Sequence, residues 1–226
     1  MKRSEINNAI KFAQELLKKH SITLPFFANL PPKKEEFHRP EREAILKTML
    51  GWDVSDFGSG DFEKCGAVLF TVRNGLISDS NIGTPYAEKY ILLKDGNEQE
   101  IPMHYHITKT EDIINRAGGT MIIQVYAKGE DGAPCKTSDV TLFCDGERRT
   151  VAAGSLIEVK NGDSVTLPPY VYHRFYTKTG TGDIVVGEVS KINDDNTDNI
   201  FASDSGNRFC EIIEDEPIYR LLVNEY

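Results

Sequence analysis

Residues 101–112 read Ile-Pro-Met-His-Tyr-His-Ile-Thr-Lys-Thr-Glu-Asp. His104 and His106 are spaced i and i+2, so on a β-strand their side chains point to the same face. Four residues separate His106 from Glu111, and six more separate Glu111 from Gly118. The stretch therefore predicts a strand that presents two imidazoles to one side, followed closely by a carboxylate.

A second stretch supplies a third imidazole. Residues 162–173 read Gly-Asp-Ser-Val-Thr-Leu-Pro-Pro-Tyr-Val-Tyr-His and end at His173. Taken singly, a histidine is more often a packing or surface residue than a ligand, so the prediction depends on the combination. Three neutral imidazoles and one carboxylate suit a divalent transition metal and leave coordination positions open. We predict a metal site formed by His104, His106, Glu111 and His173.

The chain after about residue 66 reads as many short strands separated by turn signals. Asp95-Gly96 and Asp145-Gly146 are strong hairpin signals, and Asn74-Gly75 and Asn161-Gly162 indicate further turns. This part contains no helical pattern between strands, which argues against a parallel sheet. Short strands with regular turns favour a barrel or a double-sheet jelly roll. The predicted strands are 67–72, 90–93, 120–126, 140–143, 149–151, 155–159, 172–176 and 183–189.

The first 65 residues have a different character. Apolar residues recur at helical spacing over residues 4–20, and a second helix is expected at about 42–50. Residues 52–58 read as a loop, in which Trp52 is more plausible as a packing anchor than as a stacking platform. We therefore predict a helical extension over 1–65 that packs on a barrel formed by 66–226.

Composition excludes several classes of protein. The formal net charge of −9 disfavours nucleic-acid binding, which needs basic surface to displace counterions. No apolar run is long enough to span a bilayer, and the N-terminus lacks the apolar segment of a secretory signal. The four cysteines are scattered, as expected of free thiols in a reducing compartment. We expect a cytoplasmic protein without a membrane or nucleic-acid partner.

The two histidine-containing stretches resemble the two signature motifs of the cupin superfamily. The first motif lacks its leading glycine, but its two histidines, glutamate and closing glycine have the right spacing. In the second motif Gly162, Pro168 and His173 fit, while Tyr170 replaces a glycine and Thr177 an asparagine. The resemblance implies a mainly β fold of cupin type, a double-stranded β-helix or jelly-roll barrel.

A closer resemblance, to the bacterial D-lyxose isomerase family, extends over nearly the whole chain. It rests on residues 52–58, on the pattern of residues 104–119 and on the C-terminal residues 221–226. The resemblance implies a manganese-preferring enzyme that interconverts D-lyxose and D-xylulose. It also implies activity on D-mannose and D-fructose, and a homodimer.

Aldose–ketose isomerisation moves hydrogen between C1 and C2 of an open-chain sugar, which by proton transfer needs a base and an acid. Lys109 lies between two predicted ligands, so we assign it the acid or electrostatic role. Glu211 is the predicted base, with Glu214 as second choice, and Arg208 and Arg116 are predicted sugar contacts. A hydride shift would need no base, and the sequence leaves both mechanisms open.

Two other kinds of function are compatible with the motifs. One is another cupin enzyme, either a phosphosugar isomerase or an iron-dependent dioxygenase. The other is a non-catalytic sugar-binding cupin. A phosphosugar enzyme needs a basic cluster beside the metal, and the only Arg-Arg pair, Arg148-Arg149, follows a hairpin turn instead.

Overall fold

The computed structural model describes residues 1–96, 99–194, 197–203, 209 and 211–226. Its helices lie near the N-terminus, and the strands form two antiparallel sheets. The helices are α1 (Arg3–Lys19), α2 (Lys34–Phe37) and α3 (Glu43–Lys47), with 3₁₀ turns at Phe26–Asn29 and Pro40–Arg42. The strands are β1 (Gly51–Ser55), β2 (Ala67–Leu76), β3 (Asp79–Leu93), β4 (Glu100–His106), β5 (Glu111–Gly118), β6 (Met121–Lys128), β7 (Pro134–Cys135), β8 (Val140–Cys144), β9 (Glu147–Val151), β10 (Leu156–Val159), β11 (Ser164–Leu167), β12 (Val171–Thr177), β13 (Ile184–Lys191) and β14 (Asn199–Phe201).

The eight-stranded sheet has the order β1-β2-β3-β13-β5-β11-β8-β9. The six-stranded sheet has the order β10-β6-β12-β4-β14, with β7 paired to β6. Their inner faces share one apolar core, in which Ile91 and Ile113 of the first sheet join Ile123 and Phe175 of the second. The fold is therefore the mainly β double-sheet barrel that the sequence predicts.

At β1 and β2 the eight-stranded sheet is buried on both faces, which explains the continuous apolar run at the start of β2. Residues on its outer side, including Phe70 and Leu92, belong to a second core together with Ile10 and Leu17 of α1. Each such side chain stabilises the fold by about 1.5–3 kcal/mol when fully buried. The N-terminal helices thus cover the outside of the sheet whose inside faces the barrel.

The prediction of a loop over 52–58 is wrong for its first half, because Gly51–Ser55 forms β1 and pairs with β2. Asp53 and Ser55 suggest a loop by residue type, but both are fully buried within the strand. Trp52 is a packing anchor, as predicted. Its indole N–H donates to the carbonyl of Ala28 (2.9 Å) and its ring meets Phe70 edge-on.

The turn signals in the sequence predict where the chain bends better than they predict which strands pair. Asp145-Gly146 does connect the paired strands β8 and β9. Asp95-Gly96 is not in a hairpin, because β3 belongs to one sheet and β4 to the other. Asn74-Gly75 does not end β2. A Cβ at Gly75 would come within 2.0 Å of the Thr84 carbonyl oxygen, so glycine here permits close approach of β3.

The thiols of Cys65, Cys135 and Cys144 are free, as predicted, and Cys210 lies outside the described residues. Helix α1, with 17 residues, is the longest helix. In the part of the chain that the structure describes, no helix has the length and apolar character needed to cross a membrane.

Candidate metal centre and active site

The three predicted histidine ligands lie on the inner face of the six-stranded sheet. His104 on β4 is directly opposite His173 on β12, so their side chains share a face. His106 lies two residues along β4 and points the same way. All three side chains are buried.

The predicted carboxylate ligand comes from the opposite sheet. Glu111 begins β5, and its buried side chain shares the inner face with Ile113, two residues further on. The four candidate ligand atoms lie within 4.8 Å of one another. Glu111 Oε1 is 2.9 Å from His173 Nε2 and 3.3 Å from His106 Nε2. The barrel therefore brings together all four residues that the motifs predict.

These atoms fit a metal ion by a test independent of the motifs. Glu111 Oε1 and the Nε2 atoms of His106 and His173 are buried, and none has a hydrogen-bond partner among the described residues. Buried polar atoms are normally satisfied, because leaving one unpaired costs about 1–3 kcal/mol. A divalent cation among them would satisfy all three at once.

Main-chain carbonyls orient two of the rings. His104 Nδ1 donates to the carbonyl of Pro102 (2.8 Å), and His173 Nδ1 donates to that of Val171 (3.0 Å). With its proton on Nδ1, each ring keeps the Nε2 lone pair free. Tyr170, which replaces a motif glycine just before this strand, adopts a positive φ of 63°. The departure from the motif keeps the backbone conformation that glycine usually supplies.

The electrostatic environment of His104 and Glu111 also favours the protonation states in which these residues can bind a metal ion. Burial, assisted by the charges of His173 and His106, lowers the pKa of His104 well below its usual range. Burial alone would raise the pKa of Glu111, but the nearby Lys109 ammonium and the imidazoles outweigh it and hold that pKa well below its usual range. These shifts favour a neutral His104 imidazole and an ionised Glu111 carboxylate, the forms that bind metals.

Lys109 lies beside the cluster, as predicted, and it is paired there. Its side chain is buried, with Nζ 3.0 Å from Glu111 Oε2 and 2.9 Å from Glu188 Oε1. The same ammonium donates to Asn193 Oδ1 (3.1 Å). Glu188, on β13, is a second buried carboxylate that the sequence did not reveal, and the Lys109 ammonium contacts both it and Glu111.

The register of the eight-stranded sheet explains why Glu188 faces inward. It lies directly opposite Ile113 on β5 and Lys89 on β3, so all three share the inner face. Lys89 is also buried, with Nζ 3.9 Å from Glu188 Oε1. Glu188 interrupts the apolar run of β13 at an inward position, which is the sequence signal that could have identified it.

A cavity opens next to the cluster and is mostly apolar, with a few convergent polar groups, as ligand sites usually are. The polar lining residues are His104, His106 and Glu111 of the cluster, the two lysines, Glu188 and Asn199. Phe201 on β14 forms part of the wall, with its ring centroid 5.5 Å from that of His104. The apolar lining residues are Phe57, Leu69, Ile91, Ile101, Ile113, Phe175 and Phe201.

The structure does not bring Glu211 or Glu214 to this cavity. Glu211 is exposed, and its main-chain carbonyl accepts from the Met1 amino group (3.0 Å) at the start of the helical layer. The second choice, Glu214, pairs with Arg3 of α1 (2.7 Å). Glu211 and Glu214 lie there because the C-terminal segment returns to the N-terminus. This part of the chain is on the side of the eight-stranded sheet that faces away from the cavity.

The predicted sugar contacts have different outcomes. Arg116 is exposed, and its side chain lies across Gly187, where a Cβ would come within 2.9 Å of the guanidinium Nε. Gly187 alternates with the inward Glu188, so Arg116 lies on the outer side of the sheet. Arg208 lies outside the described residues.

Comparison with known proteins shows which family the chain matches. The model of the family described as "D-lyxose isomerase" matches residues 1–226. The "D-lyxose/D-mannose isomerase" of Escherichia coli O157:H7 is 39% identical over 227 aligned residues, which cover 100% of this chain and 98% of the relative. The protein of the same name from Serratia proteamaculans is 40% identical over 227 residues, with the same coverage.

Solved structures support the fold. The L-ribose isomerase of Acinetobacter sp. DL28, in complex with L-ribose, gives a TM-score of 0.62 at 15% identity, covering 94% of this chain and 98% of that chain. The ligand-free L-ribose isomerase of Cellulomonas parahominis gives 0.57 at 16% identity over the same shares. At such low identity the likeness concerns the fold alone, and it confirms the predicted cupin-type barrel.

Proposed function

The chain belongs to the D-lyxose isomerase family and is a sugar isomerase, and from this premise we propose that it interconverts D-lyxose and D-xylulose. We propose weaker activity on D-mannose and D-fructose. The names of the two relatives support these substrates. The observation that carries the proposal is the buried contact of the His/Glu cluster with Lys109, which in turn contacts Glu188. A site for a cation and a site for proton transfer thus adjoin in one cavity.

We propose that His104, His106, Glu111 and His173 hold one divalent metal ion, and that this ion is Mn²⁺. Imidazole and carboxylate donors in a 3:1 ratio are compatible with manganese and with other divalent metals. When bound, such an ion supplies positive charge that stabilises negative charge developing on the sugar oxygens.

Glu188 replaces Glu211 as the proposed base. It is a buried carboxylate that lines the cavity, and it accepts hydrogen bonds from Lys109 (2.9 Å) and from the Ser190 hydroxyl (3.2 Å). In the forward reaction Glu188 removes the proton from C2 of the open-chain aldose and returns it to C1. The carboxylate is regenerated, so the proton balance closes within one turnover.

Lys109 is the proposed acid. Its ammonium donates a proton to the aldehyde oxygen on C1 as C2 loses its proton, and it recovers a proton from the hydroxyl on C2 as that oxygen becomes the ketone. Two carboxylates and the Asn193 amide oxygen fix the head group in the cavity wall. The three N–H groups of the ammonium already face these three acceptors, so donation to the sugar requires one of the contacts to open.

The cavity composition favours a sugar without a phosphate. Its two lysines lie next to Glu188, and its remaining wall is largely aromatic and aliphatic. Two lysines and two glutamates have formal charges that cancel, and a phosphate would add about two negative charges at neutral pH. The described cavity residues therefore provide no cluster of free cations for a phosphosugar.

The test is a panel of free and phosphorylated aldoses assayed for ketose formation with Mn²⁺, before and after chelation. We expect the fastest conversion with D-lyxose, slower conversion with D-mannose, and loss of activity on chelation that added Mn²⁺ restores. Turnover of phosphorylated sugars alone would contradict the substrate assignment. A run in D₂O that leaves the ketose without deuterium would favour a hydride shift over transfer through Glu188.

We also propose a cytoplasmic location and a homodimer. The free thiols of Cys65, Cys135 and Cys144 support a reducing compartment. The dimer follows from the family resemblance, and light scattering of the purified protein at micromolar concentration tests it. A mass near 51 kDa, about twice that of the chain, is expected.

A further inference from the structure

The turn between the two ligand-bearing strands is held by a carboxylate from elsewhere in the chain. This turn, residues 107–109, follows His106 and carries Lys109. Asp198 Oδ1 accepts from the main-chain N–H groups of Ile107 (3.0 Å) and Thr108 (2.8 Å), and from the Thr108 hydroxyl (3.0 Å). Asp198 Oδ2 accepts from the Lys109 N–H (3.1 Å). Three consecutive amides and one side chain thus converge on a single carboxylate.

The position of Asp198 connects this turn to the cavity wall. Asp198 is 7% exposed and immediately precedes β14, which pairs with β4 so that Asn199 lies opposite His106. Its Oδ2 is 3.9 Å from His106 Nδ1, on the side of the ring away from Nε2. Asp198 does not line the cavity, so it contacts the back of the site and no sugar.

We propose that Asp198 is a positioning residue that fixes the turn, so that Lys109 meets Glu188 and Glu111. The inference rests on the proposed function, because the role given to the turn is to position Lys109, the proposed acid. Hydrogen bonds to an ionised carboxylate are about twice as strong as neutral ones. Without this acceptor, the three amides of the turn would lose their partners, and the backbone of the buried Lys109 would lose its anchor.

The test compares Asp198→Asn with Asp95→Asn. The amide keeps the shape and one acceptor oxygen of Asp198, but its NH₂ group cannot accept from Lys109. Asp95 is a matched control, since it accepts the amides of Gly180 (3.0 Å) and Gly182 (2.8 Å) in a turn that lines no part of the cavity. We expect Asp198→Asn to lower kcat on D-lyxose by about 10- to 100-fold with KM changed less than about threefold. We expect Asp95→Asn to change kcat less than about twofold.

Amide hydrogen exchange provides a readout that needs neither metal nor turnover. In the metal-free protein, Asp198→Asn should accelerate exchange at Ile107, Thr108 and Lys109 by about tenfold or more, the equivalent of about 1.4 kcal/mol in local opening. Asp95→Asn should leave exchange at those three amides unchanged. Unchanged exchange in Asp198→Asn, or an equal fall of kcat in both variants, would overturn the proposal.

Thr108 provides a milder variant if Asp198→Asn does not fold. Thr108→Val removes only the hydroxyl bond to Asp198, and we expect it to lower kcat by about twofold to fivefold, with Thr108→Ser restoring activity. Equal activity of the two Thr108 variants would overturn the proposal. A wild-type chain that converts no aldose would instead refute the proposed function. In that case, faster amide exchange in Asp198→Asn would still show that Asp198 stabilises the turn, and unchanged exchange would refute the stabilisation of the turn as well.

Discussion

The inner faces of the two sheets meet in one cavity but carry different chemistry. The six-stranded sheet contributes three imidazoles, two of them oriented by main-chain carbonyls of their own strands. The eight-stranded sheet contributes the buried charges of Lys89, Glu111 and Glu188, joined by Lys109 from the turn before β5. In our account one face mainly holds the metal and the other mainly moves protons, so mutations should separate the two functions.

The two faces also differ in what their burial requires. A neutral imidazole needs only hydrogen-bond partners, whereas a buried charge costs several kcal/mol unless it is paired. The charged residues meet this requirement as a connected group, because Lys109 contacts both carboxylates. Helices cover part of the other side of this sheet. Removing one member of this group should therefore perturb its neighbours more than removing one histidine perturbs its sheet.

The largest effect should come from emptying the imidazole face. His104→Ala combined with His173→Ala removes two of the four proposed ligands, and we expect metal content to fall from about one ion per chain to near zero, with loss of turnover. Elemental analysis and the D-lyxose assay measure both. His38→Ala is the control, since His38 is exposed and lines no part of the cavity. Undiminished metal in the double variant would refute the ligand assignment.

A smaller effect should come from removing the acid alone. Lys109→Ala takes away the proposed proton donor but none of the ligands, and we expect kcat to fall by about 10²- to 10⁴-fold while metal is retained. Lys94→Ala is the control, because Lys94 pairs with the partly exposed Glu63 outside the cavity (3.0 Å). If Lys109→Ala lost its metal in proportion to its activity, the division of labour between the faces would be wrong.

The smallest effect is expected on the outer side of the charged sheet. Arg116→Ala should change kcat and KM for D-lyxose by less than about twofold, because this side chain is exposed and lies over Gly187. Steady-state kinetics is sufficient as the measurement. A KM increase of tenfold would mean that Arg116 contacts the sugar, as the sequence predicted, and that the outer face contributes to the site.

The sequence predicted the imidazole face well because strand alternation and motif spacing determine it. An i, i+2 pair on a strand must share a face, and the second motif places His173 on another strand. Lys109 was predicted through its position between two ligands. The double-sheet fold followed from short strands with regular turns, but their pairing did not, since the turn at Asp95-Gly96 leads into the other sheet.

Glu188 and Lys89 of the charged face were missed because they meet only through the long-range register of the sheet. Glu188 and Lys89 are far apart in the chain, and nothing local indicates that they lie opposite each other. The choice of Glu211, which the structure places away from the cavity, has a related cause. A segment near the C-terminus could pack over the cavity or return to the N-terminus. The structure shows the second arrangement, in which the amino group of Met1 donates to the main-chain carbonyl of Glu211. Such choices depend on the packing of distant segments, which residue spacing does not encode.

The most direct test of the central claim is to measure metal content and kcat in the same preparation of Glu188→Gln, with Glu211→Gln as the matched control. Our account predicts that Glu188→Gln retains about one metal ion per chain and loses about 10²- to 10⁴-fold in kcat on D-lyxose, because only the proton-transfer face is altered. Glu211→Gln should keep both its metal and near-normal turnover. Near-normal turnover in Glu188→Gln, or loss of its metal in step with its activity, would contradict the account.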